Sequence, residues 1–128
     1  MISLDGVAEV ALALPEVVEG ERFGTRTWGV AGKVFAWERN FSKADVKRFG
    51  DDPVPDGPIV AICTADLHDK EAVLAAGHQG VFTIPHFNGY AAVLLRCKGV
   101  PKKIARKLLT DGWLATAPPA LVAEFTRR

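Results

Sequence analysis

Apolar residues recur at helical spacing at the start of the chain. Leu4, Val7, Ala8, Ala11, Leu12 and Leu14 follow Ser3, a good N-cap, and Pro15 marks the stop. Strand-like alternation follows over about 22–30 and 33–39, turned at Ala31-Gly32. With Ala31-Gly32 as the turn, Trp28 faces Phe35 and Arg26 faces Trp37, on one side with Lys33 and Arg39. Thr25, Thr27, Val34, Ala36 and Glu38 take the other side. A short helix capped by Ser42 is expected over 42–49, then a loop over 51–58, rich in proline and aspartate. Ile59 to Thr64 reads as a buried strand, and Asp66 caps a helix over about 67–76 that stops at Gly77. A second hairpin, Val81–Phe87 with Tyr90–Cys97, is closed by Asn88-Gly89 and has Phe82, Ile84, Val93 and Leu95 on its apolar face. Pro101 opens a helix to about 116 whose buried stripe is Ile104, Ala105, Leu108, Leu109 and Trp113. A short helix follows Pro118-Pro119.

Helices at both ends with hairpins between them predict an α+β domain rather than alternating βαβ units. The expected architecture is an antiparallel sheet of about five strands with the N- and C-terminal helices packed on one face. Trp28, Phe35, Ile84 and Val93 should lie beneath them. A length of 128 residues, 48% apolar and 24% charged, suits one domain over 1–128 with a single sizeable core. No run of about 18 apolar residues occurs, so no membrane span is expected. The first residues carry acids where a signal peptide needs bases, which predicts a cytoplasmic protein. Cys63 and Cys97 sit in apolar runs and are expected to be buried, reduced thiols with no disulfide between them.

A net charge of +1 excludes a strongly basic nucleic-acid binder but not a local patch. Residues 98–107 hold Lys98, Lys102, Lys103, Arg106 and Lys107 with no acid, and the last four face away from the buried stripe. Lys102 and Lys103 stand in the first turn of their helix, where the dipole disfavours cations. That broken rule, with free backbone N–H groups beside it, suits a phosphate. The plain alternative is a solvated helix face. Arg26, Trp28, Lys33, Phe35, Trp37 and Arg39 interleave cations and rings as a single-strand surface does. The same pattern is how a half-buried sheet looks, and the rings are read as core with Lys33 exposed at the turn. The tip His86-Phe-Asn-Gly-Tyr90 offers His86 and Tyr90 as contacts, while Asn88 is explained by the turn itself.

Enzyme chemistry finds no foothold. His68, His78 and His86 have no metal-ligand spacing, so no metal or cofactor is expected. Neither cysteine lies in an electropositive setting that would make a nucleophile. The glycines of the first hairpin lack the strand-to-helix context of a nucleotide fingerprint.

Three stretches carry a family resemblance: Gly24-Thr-Arg-Thr-Trp-Gly-Val-Ala-Gly-Lys-Val-Phe-Ala-Trp37, Ile84-Pro-His-Phe-Asn-Gly-Tyr90 and Gly112-Trp-Leu-Ala-Thr-Ala-Pro118. Together they resemble the MmcQ/YjbR family over nearly the full chain. The resemblance implies an α+β layout related to the frataxin-like fold, and DNA as a partner held between two hairpin wings. The expected function is weak, sequence-independent DNA binding through Lys33, Lys102, Lys103, Arg106 and Lys107, with His86 and Tyr90. The alternative is a non-enzymatic module for another protein or a small ligand on the same fold. A basic helix face on the same side as both hairpin tips favours DNA; opposite sides leave those charges as solvated groups.

Overall fold

In the computed structural model, which describes residues 1–127, one antiparallel sheet orders its six strands β1-β2-β3-β4-β6-β5. The strands are β1 (Val17–Arg22), β2 (Thr25–Val30), β3 (Lys33–Glu38), β4 (Ile59–Cys63), β5 (Val81–Phe82) and β6 (Ala92–Arg96). Helices α1 (Leu4–Leu12), α2 (Lys43–Arg48), α3 (Leu67–Ala75), α4 (Lys102–Thr116) and α5 (Pro119–Thr126) complete the α+β domain. The expected caps form. Ser3 Oγ accepts from the Gly6 amide, Asp66 from the Asp69 amide, and Ser42 and Asp45 make a reciprocal capping box. No helix among the described residues is long and apolar enough to cross a membrane.

As expected, α1 and α4 cover one face of the sheet. Val7, Ala8 and Ala11 of α1 and Ala105, Leu108, Leu109 and Trp113 of α4 pack on Trp28, Phe35, Val60, Ile62 and Leu95. Close approach is built in at Gly112, where a Cβ would come 2.8 Å from Ile62 Cγ2. The Trp113 indole N–H donates to the Pro15 carbonyl at 3.0 Å, and that of Trp28 donates to Glu19 at 2.9 Å. Arg26 closes this network on the helix side, bonding Glu19 and Asp5, and its guanidinium holds the Glu19 carboxyl below its ordinary value. Arg26 is therefore spent on structure.

Two departures from the expected strands matter. The sheet has six strands, not about five, because Val17–Arg22 pairs along β2 from Val17 opposite Val30 to Arg22 opposite Thr25. That segment is mostly exposed and acidic, so its apolar signal is faint. The second expected hairpin is largely absent. Pro85 cannot donate to a ladder, so the strand stops at Phe82 and Pro85–Phe87 forms a 3-10 turn. Asn88 (φ −59°, ψ 130°) and Gly89 (φ 76°) then make a type II turn, so only the glycine needs positive φ. β5 pairs Val81 with Leu95 and Phe82 with Leu94, which puts Phe82 and Leu95 on opposite faces. Ile84 consequently lies on the face away from α1 and α4, with Ile59, Ala61, Phe87, Ala92 and Leu94.

The decisive irregularity is a β-bulge in β3. Val30 opposes Lys33 and Gly29 opposes Val34, but Trp28 opposes Ala36 and Thr27 opposes Trp37. Phe35 is the extra residue, and both Phe35 and Ala36 turn into the helix-side core. Every residue after them is inverted relative to uninterrupted pairing, so Arg26 does not face Trp37. Trp37 belongs to the cluster on the other face. Gly29 makes the bulge possible, because a Cβ there would sit 2.9 Å from the Lys33 carbonyl oxygen.

Cys63 is half-buried and Cys97 buried, both free, and burial with the nearby Glu38 pushes the Cys97 thiol up to about 11. At pH 8 the buried Cys97 is almost entirely the unreactive thiol, so iodoacetamide should leave it unmodified in the native protein while labelling it in urea. Rapid native labelling by mass spectrometry would contradict the packing. Gly29→Ala should destabilise the fold by about 1–3 kcal/mol in urea titration, since backbone atoms must move to admit the methyl. An unchanged midpoint would mean that the close approach at the bulge is not a constraint.

Candidate functional site

The face of the sheet away from α1 and α4 is divided in two. Over β4, β6 and β5 it is covered by α2 and the 85–87 turn, where Phe41, Phe49, Phe82 and Phe87 join the second core cluster. Over β1, β2 and the start of β3 no helix covers it. The register there brings Val18, Gly20 and Arg22 beside Thr25, Thr27 and Val34. A groove of about 440 Å³ runs along the step between the two halves, lined by Arg22, Phe23, Thr25, Thr27, Val34, Trp37, Arg39 and Tyr90 among others. A smaller hollow of about 220 Å³, shared by Trp37, Arg39 and Tyr90, continues it to His86 and Phe87.

Rings form the covered wall. Trp37 stacks on Phe87 (6.3 Å between centroids, 20° between planes) and meets Tyr90 edge-on at 6.3 Å. Arg39 lies over the Phe87 ring at 5.6 Å and donates to Asp45 Oδ2 at 2.9 Å and to the Asn40 carbonyl. Asp45 is buried. Burial alone would raise its carboxyl, but the Ser42 amide, the Arg39 guanidinium and the Ser42 hydroxyl together hold it below its ordinary value. Its Oδ1 has no hydrogen-bond partner, with Arg48 Nη1 at 3.9 Å. The one acid of α2 is thus consumed, leaving Lys43, Lys47 and Arg48 exposed beside the wall.

Lys70 of α3 sets the 86–90 turn in place. The residue is 6% exposed, its ammonium donates to the Phe87 carbonyl at 2.6 Å and the Tyr90 carbonyl at 2.7 Å, and burial lowers its pKa. A buried cation held only by carbonyls fixes the backbone that carries His86 and Tyr90. These two residues are exposed, and Tyr90 is 52% accessible.

The residues picked from the sequence fall in three places. His86 and Tyr90 lie on this outer face. Lys102, Lys103 and Arg106 are exposed on α4, across the sheet from it, and Lys107 is engaged with Asp111 at 2.7 Å. Glu9, Lys102 and Arg106 line a shallow groove between α1 and α4. Lys33 is exposed at the β2–β3 turn. Cys63, whose thiol reaches the Val34 carbonyl, and Gly112, which packs on Cys63, put the last turns of α4 at that end. Lys33 is therefore separated from Lys102 by roughly 15 Å of helix. The basic helix face and the 86–90 tip lie on opposite sides.

Arg22, Phe23, Lys43, Lys47 and Arg48 did not stand out in the sequence. Trp37, expected in the core, is half-buried on the outer face. The legible signals were Gly29 inside a strand, which marks a bulge, and the two-residue turn Phe23-Gly24. Among the described residues no group of three or more His, Cys, Asp or Glu is arranged to hold a metal ion.

The model of a family described as YjbR matches residues 12–115. Uncharacterized protein Rv2570 of Mycobacterium tuberculosis (strain H37Rv) and uncharacterized protein Mb2600 of Mycobacterium bovis are each 37% identical over 128 residues, covering 98% of this chain and 96% of their own. The crystal structure of Deinococcus radiodurans protein DR2400, with family-model domain DUF419, superposes with a TM-score of 0.59 at 20% identity. It covers 89% of this chain and 78% of that one. That likeness is one of fold.

Lys70→Gln removes the buried cation and leaves the Phe87 and Tyr90 carbonyls short of donors. It should cost about 1–3 kcal/mol in urea unfolding and broaden the amide resonances of 86–90. Unaltered stability and spectra would show that the turn holds itself.

Proposed function

The chain belongs to the YjbR family, and we propose that it is a binding protein rather than an enzyme, taking DNA on the outer face of its sheet through sequence-independent phosphate contacts. The observation that carries this is a groove lined by Arg22 and Arg39 and continued to His86, with Lys43, Lys47 and Arg48 exposed on α2, which packs against the 85–87 turn; Glu38 is the one carboxylate in the groove's lining, and the nearby buried acid, Asp45, is paired with Arg39. Phosphate contacts need a local excess of cations over carboxylates more than they need a large net charge. Asp51 and Asp52 follow α2 and temper the field, which agrees with weak binding. Lys102, Lys103 and Arg106 cannot touch the same DNA segment, because the sheet and its core stand between. On this reading they are solvated groups.

A second reading keeps the same surface for a small ligand, since about 440 Å³ is within the range of ligand pockets. The two differ in salt dependence. Counterion release gives log Kd a slope of about 0.9 per duplex phosphate neutralised, or about 0.7 per phosphate on a single strand. In anisotropy titrations against labelled DNA across salt concentrations, Arg22→Glu/Lys47→Glu should lower the wild-type slope by about two, and Lys102→Glu/Lys103→Glu should leave it unchanged. The reverse pattern would move the contact to α4. No binding by wild type at low salt would defeat the DNA reading and leave the small-ligand one.

A further inference from the structure

Phe23 is the most exposed large apolar side chain described, at 98%, and nothing in the fold explains it. It occupies the first central position of the β1–β2 turn at φ 52°, followed by Gly24 at φ 78°. Such a turn is best made by Asn, Asp or Gly, and a bulky side chain there is strained. The ring buries nothing within the chain. The turn itself is secured without it, by the Thr25 hydroxyl donating to the Arg22 carbonyl at 2.7 Å. A residue that adds both strain and exposed apolar area to a turn formed by its neighbours needs an explanation outside the fold.

Its position supplies one. Phe23 lines the same groove as Trp37 and Tyr90, so rings stand at its tip and along its wall, with Thr25, Thr27 and Val34 between them and Glu38, which accepts from the Arg26 amide, as the one acid of the lining. Arg22 is beside the ring with no carboxylate within salt-bridge distance among the described residues. Aromatic rings around a groove, hydroxyls beside them and two guanidiniums, Arg22 and Arg39, against the single acid Glu38 suit a planar ring that carries an anionic group.

We infer that Phe23 is a stacking side chain that holds one unpaired nucleobase in the groove with Trp37 and Tyr90, while Arg22 takes the adjoining phosphate. The inference rests on the outer-face DNA reading and narrows it: the ligand unit is an unpaired nucleotide, and duplex bases, stacked on one another, cannot enter. The same unit comes from a single strand or from a free mononucleotide. Base stacking on protein rings tolerates any sequence, which agrees with non-specific binding.

Tryptophan fluorescence reports on the site directly. Trp28 and Trp113 are fully buried, so quenching by an added ligand reads the half-buried Trp37. The experiment titrates wild type, Phe23→Ala and Phe23→Tyr with oligo(dT), a blunt-ended duplex without a loop, and AMP and UMP. Both fluorescence and oligonucleotide anisotropy are followed. Expected are quenching by oligo(dT), a loss of about tenfold or more in oligo(dT) affinity in Phe23→Ala, recovery in Phe23→Tyr, and duplex affinity unmoved by either. Phe23 is exposed, so Phe23→Ala should retain the wild-type circular dichroism. Oligo(dT) binding that is equal in wild type and Phe23→Ala overturns the stacking role while leaving DNA binding intact. No oligonucleotide binding, but quenching by AMP or UMP that Phe23→Ala weakens, defeats the DNA reading and supports the stacking site with a mononucleotide as its occupant. No response to any of the four overturns both.

Discussion

One extra residue in β3 decides which chemistry this protein shows to solvent. With Phe35 and Ala36 both turned into the helix-side core, Trp37 and Arg39 emerge on the opposite face. In uninterrupted alternation Trp37 would lie beneath α4 and the outer face would lose its ring wall. The bulge depends on the missing side chain of Gly29, which lets the backbone of β3 come within contact distance. The rest of the site follows from that inversion. Phe87 packs on Trp37, Arg39 ties α2 to the sheet through Asp45, and Lys70 pins the turn that delivers His86 and Tyr90.

The two faces are held by different physics. The helix side is a core of aliphatic side chains and fully buried Trp28 and Trp113, with their indole N–H groups matched to Glu19 and Pro15. The outer side is a mixed layer of rings, paired charges and bare strand. A buried, paired acid beside exposed cations leaves local positive charge in a protein with a net charge of only +1. Such a face can attract phosphate without making the molecule basic, and its groove explains why aromatic residues remain at the surface.

Much of the fold was legible in the sequence because its signals are local. Ser3, Ser42 and Asp66 cap the helices they were expected to cap, and the α4 stripe from Ala105 to Trp113 is the buried one. β1 was not legible, since an edge strand with Glu19, Gly20 and Glu21 shows little apolar alternation. The 86–90 region misled because Asn-Gly suits two turn types, and Pro85 upstream chose the one that ends a strand. The environment of Trp37 was less legible than the elements themselves. A bulge shifts register by one residue and leaves alternation looking regular on both sides of it, so Trp37 reads as core, while the lysines of α4 stand out by their charge and by their place in the first helical turn.

The central claim is that the outer face, and not α4, meets the ligand. Amide chemical-shift mapping by ¹⁵N NMR during titration with oligo(dT) tests it residue by residue. The account predicts saturable shifts in 22–27, 34–40 and 86–90, with Lys102 to Lys107 unmoved. Shifts confined to α4 and its flanks would contradict it.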